Sequence, residues 1–254
     1  MKSIILKSVF LLIFLIFLSG IASAQVRFYE KKIFVSKNDT LRYLLLRNQK
    51  SNEKVPLILY LHSADANGRD NEKQLTHSPG IVTGSVFREK YSFYFIAPQC
   101  APNKSWVNAR NWDRLKMKKT ASSQLQLVKA LIDSVILTNK IDEKRIYVIG
   151  ASMGGFGTWD LICRYPSMFA AAIPVCGVGD INMAKYISNI PIWVFHGEKD
   201  ARVKVQYSRD IVKAIQKAGG NPRYTEYPGL PHDIRDTVYN NAEIWEWMFL
   251  QKLK

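Results

Sequence analysis

Short apolar runs alternate with amphipathic stretches along most of the chain, behind one unbroken apolar block at residues 9–18. Residues 28–35 and 41–46 read as two strands joined by the polar turn Ser36-Lys37-Asn38-Asp39-Thr40, a hairpin. Residues 56–62, 91–97, 146–149, 170–175, 190–195 and 223–227 are further strand-like runs. Most of them are continuously apolar, the pattern of strands buried on both faces of a parallel sheet. Residues 120–137 place Leu125, Val128, Leu131, Ile132 and Val135 at helical spacing. Residues 153–164 predict another helix, stopped before Tyr165-Pro166 because Pro disfavours helix in the residue preceding it. Residues 205–218 are amphipathic and end at Gly219-Gly220, and 242–250 predict a last helix. The stretch 63–79 reads as a long polar loop, and Pro98 is expected to end the strand before it. Strands alternating with helices after an initial hairpin predict an α/β fold. Its sheet is mostly parallel with helices on both faces, an N-terminal antiparallel hairpin at one side, and functional loops at the carboxyl ends of the strands.

The apolar block at 9–18 needs a separate account. Lys2 and Lys7 precede it, and Ala22-Ser23-Ala24 after it is a small-x-small cleavage site. That layout predicts a signal peptide over residues 1–24, leaving 25–254 as one globular domain. The expected location is periplasmic or secreted, with no stable membrane insertion after cleavage. A composition 47% hydrophobic and 22% charged suits a globular chain. The net charge of +15 is scattered; its densest patches, residues 116–119 and Lys31-Lys32, carry no nucleic-acid motif and read as solvated surface. Cys100, Cys163 and Cys176 match no metal or redox spacing, so buried free thiols are expected.

Candidate chemistry centres on Gly150-Ala151-Ser152-Met153-Gly154, a G-x-S-x-G pentapeptide. Alone it is a weak signal. Placed between an apolar strand and a helix, it predicts a nucleophile elbow, with the Ser152 hydroxyl lifted above the sheet on a strained turn. A serine hydroxyl needs a base. Of the four histidines, His232 follows the last strand and alone fits the order nucleophile, acid, histidine; His62 and His196, at strand ends, are assigned to holding loop backbones. Asp200, on the loop after the 190–195 strand, is the favoured acid, with Asp180, Glu198 and Asp233 as rivals. The backbone N–H groups of Met153 and Ala64 are the expected oxyanion donors. Ser63, Trp106 and Trp112 are candidates for a substrate pocket.

These segments resemble the secreted single-domain esterases of the α/β-hydrolase superfamily, near feruloyl and acetyl xylan esterases. They are also similar to prolyl-oligopeptidase-like and dienelactone-hydrolase-like proteins. The likeness runs through Leu59-Tyr60-Leu61-His62, Ala97-Pro98-Gln99-Cys100, the elbow, Pro174-Val175-Cys176-Gly177, Phe195-His196-Gly197-Glu198-Lys199-Asp200 and Tyr227-Pro228-Gly229 through His232. It implies a serine hydrolase acting on a small-molecule or polysaccharide-linked ester, without metal or organic cofactor and without nucleic acid, and it leaves the oligomeric state open. A small serine peptidase with the same triad, or a non-catalytic carbohydrate- or envelope-binding module, are the alternatives. One departure stands out: the strand that usually ends His-Gly here ends His62-Ser63. If that position requires positive φ, Ser63 would be strained by roughly 1 kcal/mol.

Overall fold

The computed structural model describes residues 26–36, 39–108 and 116–254; the expected signal peptide, the hairpin residues Lys37 and Asn38, and Trp112 lie outside them. Eight strands form one sheet in the order β1-β2-β4-β3-β5-β6-β7-β8. They are β1 Glu30–Ser36, β2 Asp39–Asn48, β3 Val55–Leu61, β4 Phe93–Gln99, β5 Ile141–Ala151, β6 Ala171–Val175, β7 Trp193–Gly197 and β8 Arg223–Tyr227. β2 runs antiparallel to both β1 and β4, and the remaining pairs are parallel. The helices are α1 Ser85–Lys90, α2 Ser123–Thr138, α3 Met153–Arg164, α4 Ala184–Ile187, α5 Gln206–Lys217, α6 Arg235–Tyr239 and α7 Ala242–Phe249.

Strand β3 is apolar at every position because both sheet faces are covered. Leu57, Leu59 and Leu61 of β3 join a cluster with α2, α3 and α5; Ile58 and Tyr60 join another with α1, α6 and α7. All seven β3 residues are buried. Helix α2 begins where Ser122 accepts a hydrogen bond from the Leu125 amide at 3.0 Å, satisfying an otherwise free first-turn donor. The same hydroxyl donates to the Trp106 carbonyl at 2.6 Å, so the cap also ties the helix to the loop after β4.

Three expectations change. Pro98 does not end β4: pairing with β3 stops at Leu59–Ile96, while pairing with β2 continues through Tyr43–Pro98 and Arg42–Gln99. A strand paired on one side tolerates a residue without an N–H. The stretch 63–79 is not loop throughout, since it carries 3-10 turns at Ala64–Ala66 and Lys73–Leu75. Gln74 is fully buried there and donates to the Asn71 side chain at 2.7 Å. Polar side chains that hydrogen-bond to one another and to backbone carbonyls can be buried, a pattern that hydrophobic periodicity does not reveal. Helices α1 and α6, of six and five residues, are too short to show a helical period.

Candidate active site

Strand β5 ends at Ala151 and α3 begins at Met153, so Ser152 alone makes the turn, with φ 53° and ψ −119°. A non-glycine residue in that region costs of order 1–3 kcal/mol and persists only where its surroundings hold it. Here Ser152 N–H donates to the Val175 carbonyl of β6 at 2.9 Å, and its own carbonyl accepts from the Phe156 N–H at 3.0 Å. The glycine two residues on is required by close approach: a Cβ on Gly154 would overlap the Leu61 carbonyl oxygen. Helix α3 therefore starts directly against the end of β3, with its positive end at Ser152.

His232 lies on the loop between β8 and α6. Its Nε2 is 2.9 Å from Ser152 Oγ and its Nδ1 is 2.6 Å from Asp200 Oδ2. That loop can approach because a Cβ on Gly197, the last residue of β7, would overlap the Pro231 carbonyl oxygen. Asp200 Oδ1 accepts from the Arg202 and Val203 amides, each at 2.8 Å. Its Oδ2 is also 3.1 Å from His196 Nε2. Burial raises the Asp200 carboxyl, but hydrogen bonds from His196, His232 and the Val203 amide outweigh it and hold the group well below the usual carboxylate range. These contacts favour its anionic form.

The rival acids are occupied elsewhere. Asp180 accepts from the Asn182 amide at 3.0 Å and the Met117 amide at 2.9 Å. Glu198 accepts from the Gly229 amide at 2.7 Å, and Asp233 pairs with Arg235 through two bonds of 2.8 Å. Of the four, Asp200 alone meets His232.

Met153 and Ala64 open α3 and the 3-10 turn Ala64–Ala66, so neither amide has a partner within its own helix. A cavity of about 80 Å³ lies beside Ser152 and Ala64, lined also by Ser63, Arg202, His232 and Arg235. Ser63 has φ −74° and ψ 167°, ordinary extended backbone, so the anticipated strain at the His62-Ser63 departure is absent. Its hydroxyl donates to the Ala151 carbonyl at 3.0 Å.

Trp106 is a correction. Its side chain is fully buried, so it has no surface to offer the cavity; its indole N–H donates to the His62 carbonyl at 2.9 Å, and its ring meets the His62 imidazole edge-on at 5.1 Å. His62 itself lies within 2.6 Å of the Ser63 carbonyl through Nδ1 and accepts the Cys100 amide at Nε2. These bonds assign the proton to Nδ1, and burial pushes the ring's pKa down to about 4. His196 is likewise buried, with Nδ1 2.7 Å from Ser208 Oγ and Nε2 2.9 Å from the Val203 carbonyl. Donation from the hydroxyl to Nδ1 leaves the Nε2 proton for the Val203 carbonyl and Asp200. The cysteines are all free and buried, as expected. Cys176 takes φ 46° at the end of β6, its Sγ 3.3 Å from the His232 carbonyl.

Two residues at this site carried no sequence signal strong enough to single out their roles. Arg235, three residues after His232, is one surface-type charge among many, and only the fold folds it inward. His196 was visible as a strand-ending histidine; its contact with the carboxylate four residues later depends on how the loop turns back.

Comparison with known proteins agrees with this architecture. The chain is 27% identical over 250 residues to the probable SOBER1-like carboxylesterase of Arabidopsis thaliana, covering 91% of this chain and 92% of that protein. It is 27% identical over 196 residues to the bifunctional acetylxylan esterase/xylanase XynS20E of Neocallimastix patriciarum, covering 76% of this chain and 26% of that protein. Among solved structures, a thermostable esterase superposes with a TM-score of 0.84 at 34% identity, covering 90% of this chain. The chain spans 64% of that esterase's length. Residues 85–241, more than half of the sequence and including both the elbow and the His232 loop, match the dienelactone hydrolase family model. By fold and by this match, the chain belongs to the dienelactone hydrolase family.

Proposed function

We propose that the protein is an exported serine hydrolase that cleaves carboxylic esters through an acyl-enzyme. The observation that carries this reading is the continuous chain from Ser152 Oγ through the His232 ring to Asp200, with contacts of 2.9 and 2.6 Å. Ser152 attacks the ester carbonyl while His232 Nε2 takes its proton. Asp200 holds the Nδ1 proton in place and stabilises the imidazolium. The Met153 and Ala64 amides receive the charge developing on the carbonyl oxygen. His232 then protonates the departing alcohol, and a water activated by the same ring releases the acid.

The substrate is a small-molecule ester or one carried on a polysaccharide. The carboxylesterase and acetylxylan esterase names among the relatives favour esters over peptides. The small cavity suits a short acyl group. Residues 25–254 form the catalytic domain, and residues 1–24 direct export. Among the described residues no helix is long and apolar enough to cross a membrane.

A fluorophosphonate probe, followed by peptide mapping, tests the assignment. The expected result is a single label on Ser152, lost in Ser152→Ala and slowed in His232→Ala, with p-nitrophenyl acetate turnover falling in step. Label on another residue, or turnover that survives Ser152→Ala, sinks the proposal. A panel of p-nitrophenyl esters, methyl ferulate and acetylated xylan then identifies the acyl and alcohol groups.

A further inference from the structure

Ala64, one of the two oxyanion donors, sits between two residues gripped by a single guanidinium nitrogen. Arg235 Nη1 donates to Ser63 Oγ at 3.3 Å and to Asp65 Oδ2 at 3.2 Å. Its Nε and Nη2 hold both oxygens of Asp233, the residue after His232, each at 2.8 Å. The Ser63 hydroxyl, accepting from Arg235, donates onward to the carbonyl of Ala151, the residue before the nucleophile. Arg235 and the Ser63 hydroxyl together therefore join the three segments that supply the oxyanion amide, the base and the nucleophile.

We infer that Arg235 and Ser63 act as a positioning brace, setting the Ala64 amide against Ser152 and His232; this rests on the hydrolase reading above. The geometry suits that task better than anion capture. The Arg235 side chain is only 12% exposed, and its charge is already matched by Asp65 and Asp233. A planar, always-charged fork can hold three acceptor groups in fixed directions, which a lysine cannot. The hydroxyl of Ser63 explains why this position need not be glycine. Its backbone is unstrained, and the side chain adds a link that a glycine would lack. A misplaced donor costs rate because oxyanion stabilisation depends on donors fixed before charge develops.

The test measures kcat and KM for p-nitrophenyl acetate in Ser63→Ala, Arg235→Gln, Arg235→Lys and the double variant Ser63→Ala/Arg235→Gln. Alongside these go Tm, fluorophosphonate labelling and inhibition by a trifluoromethyl ketone, whose adduct carries an oxyanion. Each single variant is expected to lower kcat about tenfold with KM within about twofold, and lysine should not rescue. The double variant should be no worse than the weaker single, since both break one unit. Affinity for the trifluoromethyl ketone should fall by the same factor as kcat/KM, a change that general loosening would not produce. Ser63→Ala removes no charge, so it tests the brace even if the arginine variants fold poorly. Unchanged kcat in Ser63→Ala, losses that multiply, or inhibitor affinity that stays at the wild-type level would each overturn the brace and leave the hydrolase reading standing. A wild-type enzyme with neither turnover nor label at Ser152 would overturn both.

Discussion

At the scale of single residues, Asp200 shows how a carboxylate becomes a fixed anion. It is almost wholly buried, which alone would favour the neutral acid, yet it receives two backbone amides and faces two imidazoles. Asp200→Asn keeps the shape but presents an amide to His232 Nδ1 and favours the wrong tautomer. It is expected to lower kcat on p-nitrophenyl acetate by about 10³- to 10⁴-fold, measured by steady-state kinetics. The matching change at Asp180, which holds the Met117 backbone amide and the backbone and side-chain amides of Asn182, should leave kcat within about twofold. Serine, histidine and aspartate were legible as a set because their chain order and strand-end positions narrow the choices. The choice of Asp200 over Asp180 was decided in space, where three of the four candidate acids are turned toward other partners.

Between elements, the elbow depends on how closely α3 approaches β3. Gly154 has no room for a methyl group against the Leu61 carbonyl, and that contact is backbone to backbone, so no side chain can yield. Gly154→Ala should destabilise the fold by about 3 kcal/mol, read from urea unfolding, because the helix must move off the sheet. Activity should fall with it, since Ser152 rides on the first turn of that helix. The helices long enough to show a period were legible: α3 spans the residues expected, and α2 and α5 differ only at their ends. Pro98 and the buried turns of 64–75 were not. A proline's fit in β4 depends on which neighbours pair alongside it, and Gln74 and Asn71 read as solvent-facing until their mutual hydrogen bond is seen.

For the whole molecule, the buried histidine beside Ser63 links stability to pH. His62 falls from its ordinary value of 6.5 to about 4 on burial, so the folded state resists a proton that the unfolded chain accepts. Its neutral form is fully compatible with folding above pH 6.5. As pH falls from there toward 4, the unfolded state binds more protons and stability drops, by about 3 kcal/mol over the window. Urea denaturation at pH 7 and pH 5.5, above the range where most carboxylates titrate, should show the onset of the loss. An unchanged midpoint would mean that His62 is protonated within the fold.

The apolar periods, the Pro and Gly breaks and the order of Ser152, Asp200 and His232 determined the sheet class, most of its elements and the set from which a site is built. These are local properties, set by backbone geometry and by which residues avoid water. Tertiary structure alone decided which carboxylate meets His232, that Trp106 turns inward to hold the His62 carbonyl, and that Arg235 reaches Ser63 and Asp65 across the cleft. Those outcomes depend on distances between residues far apart in the chain, and hydrogen bonds between buried polar groups leave no periodic trace in the sequence.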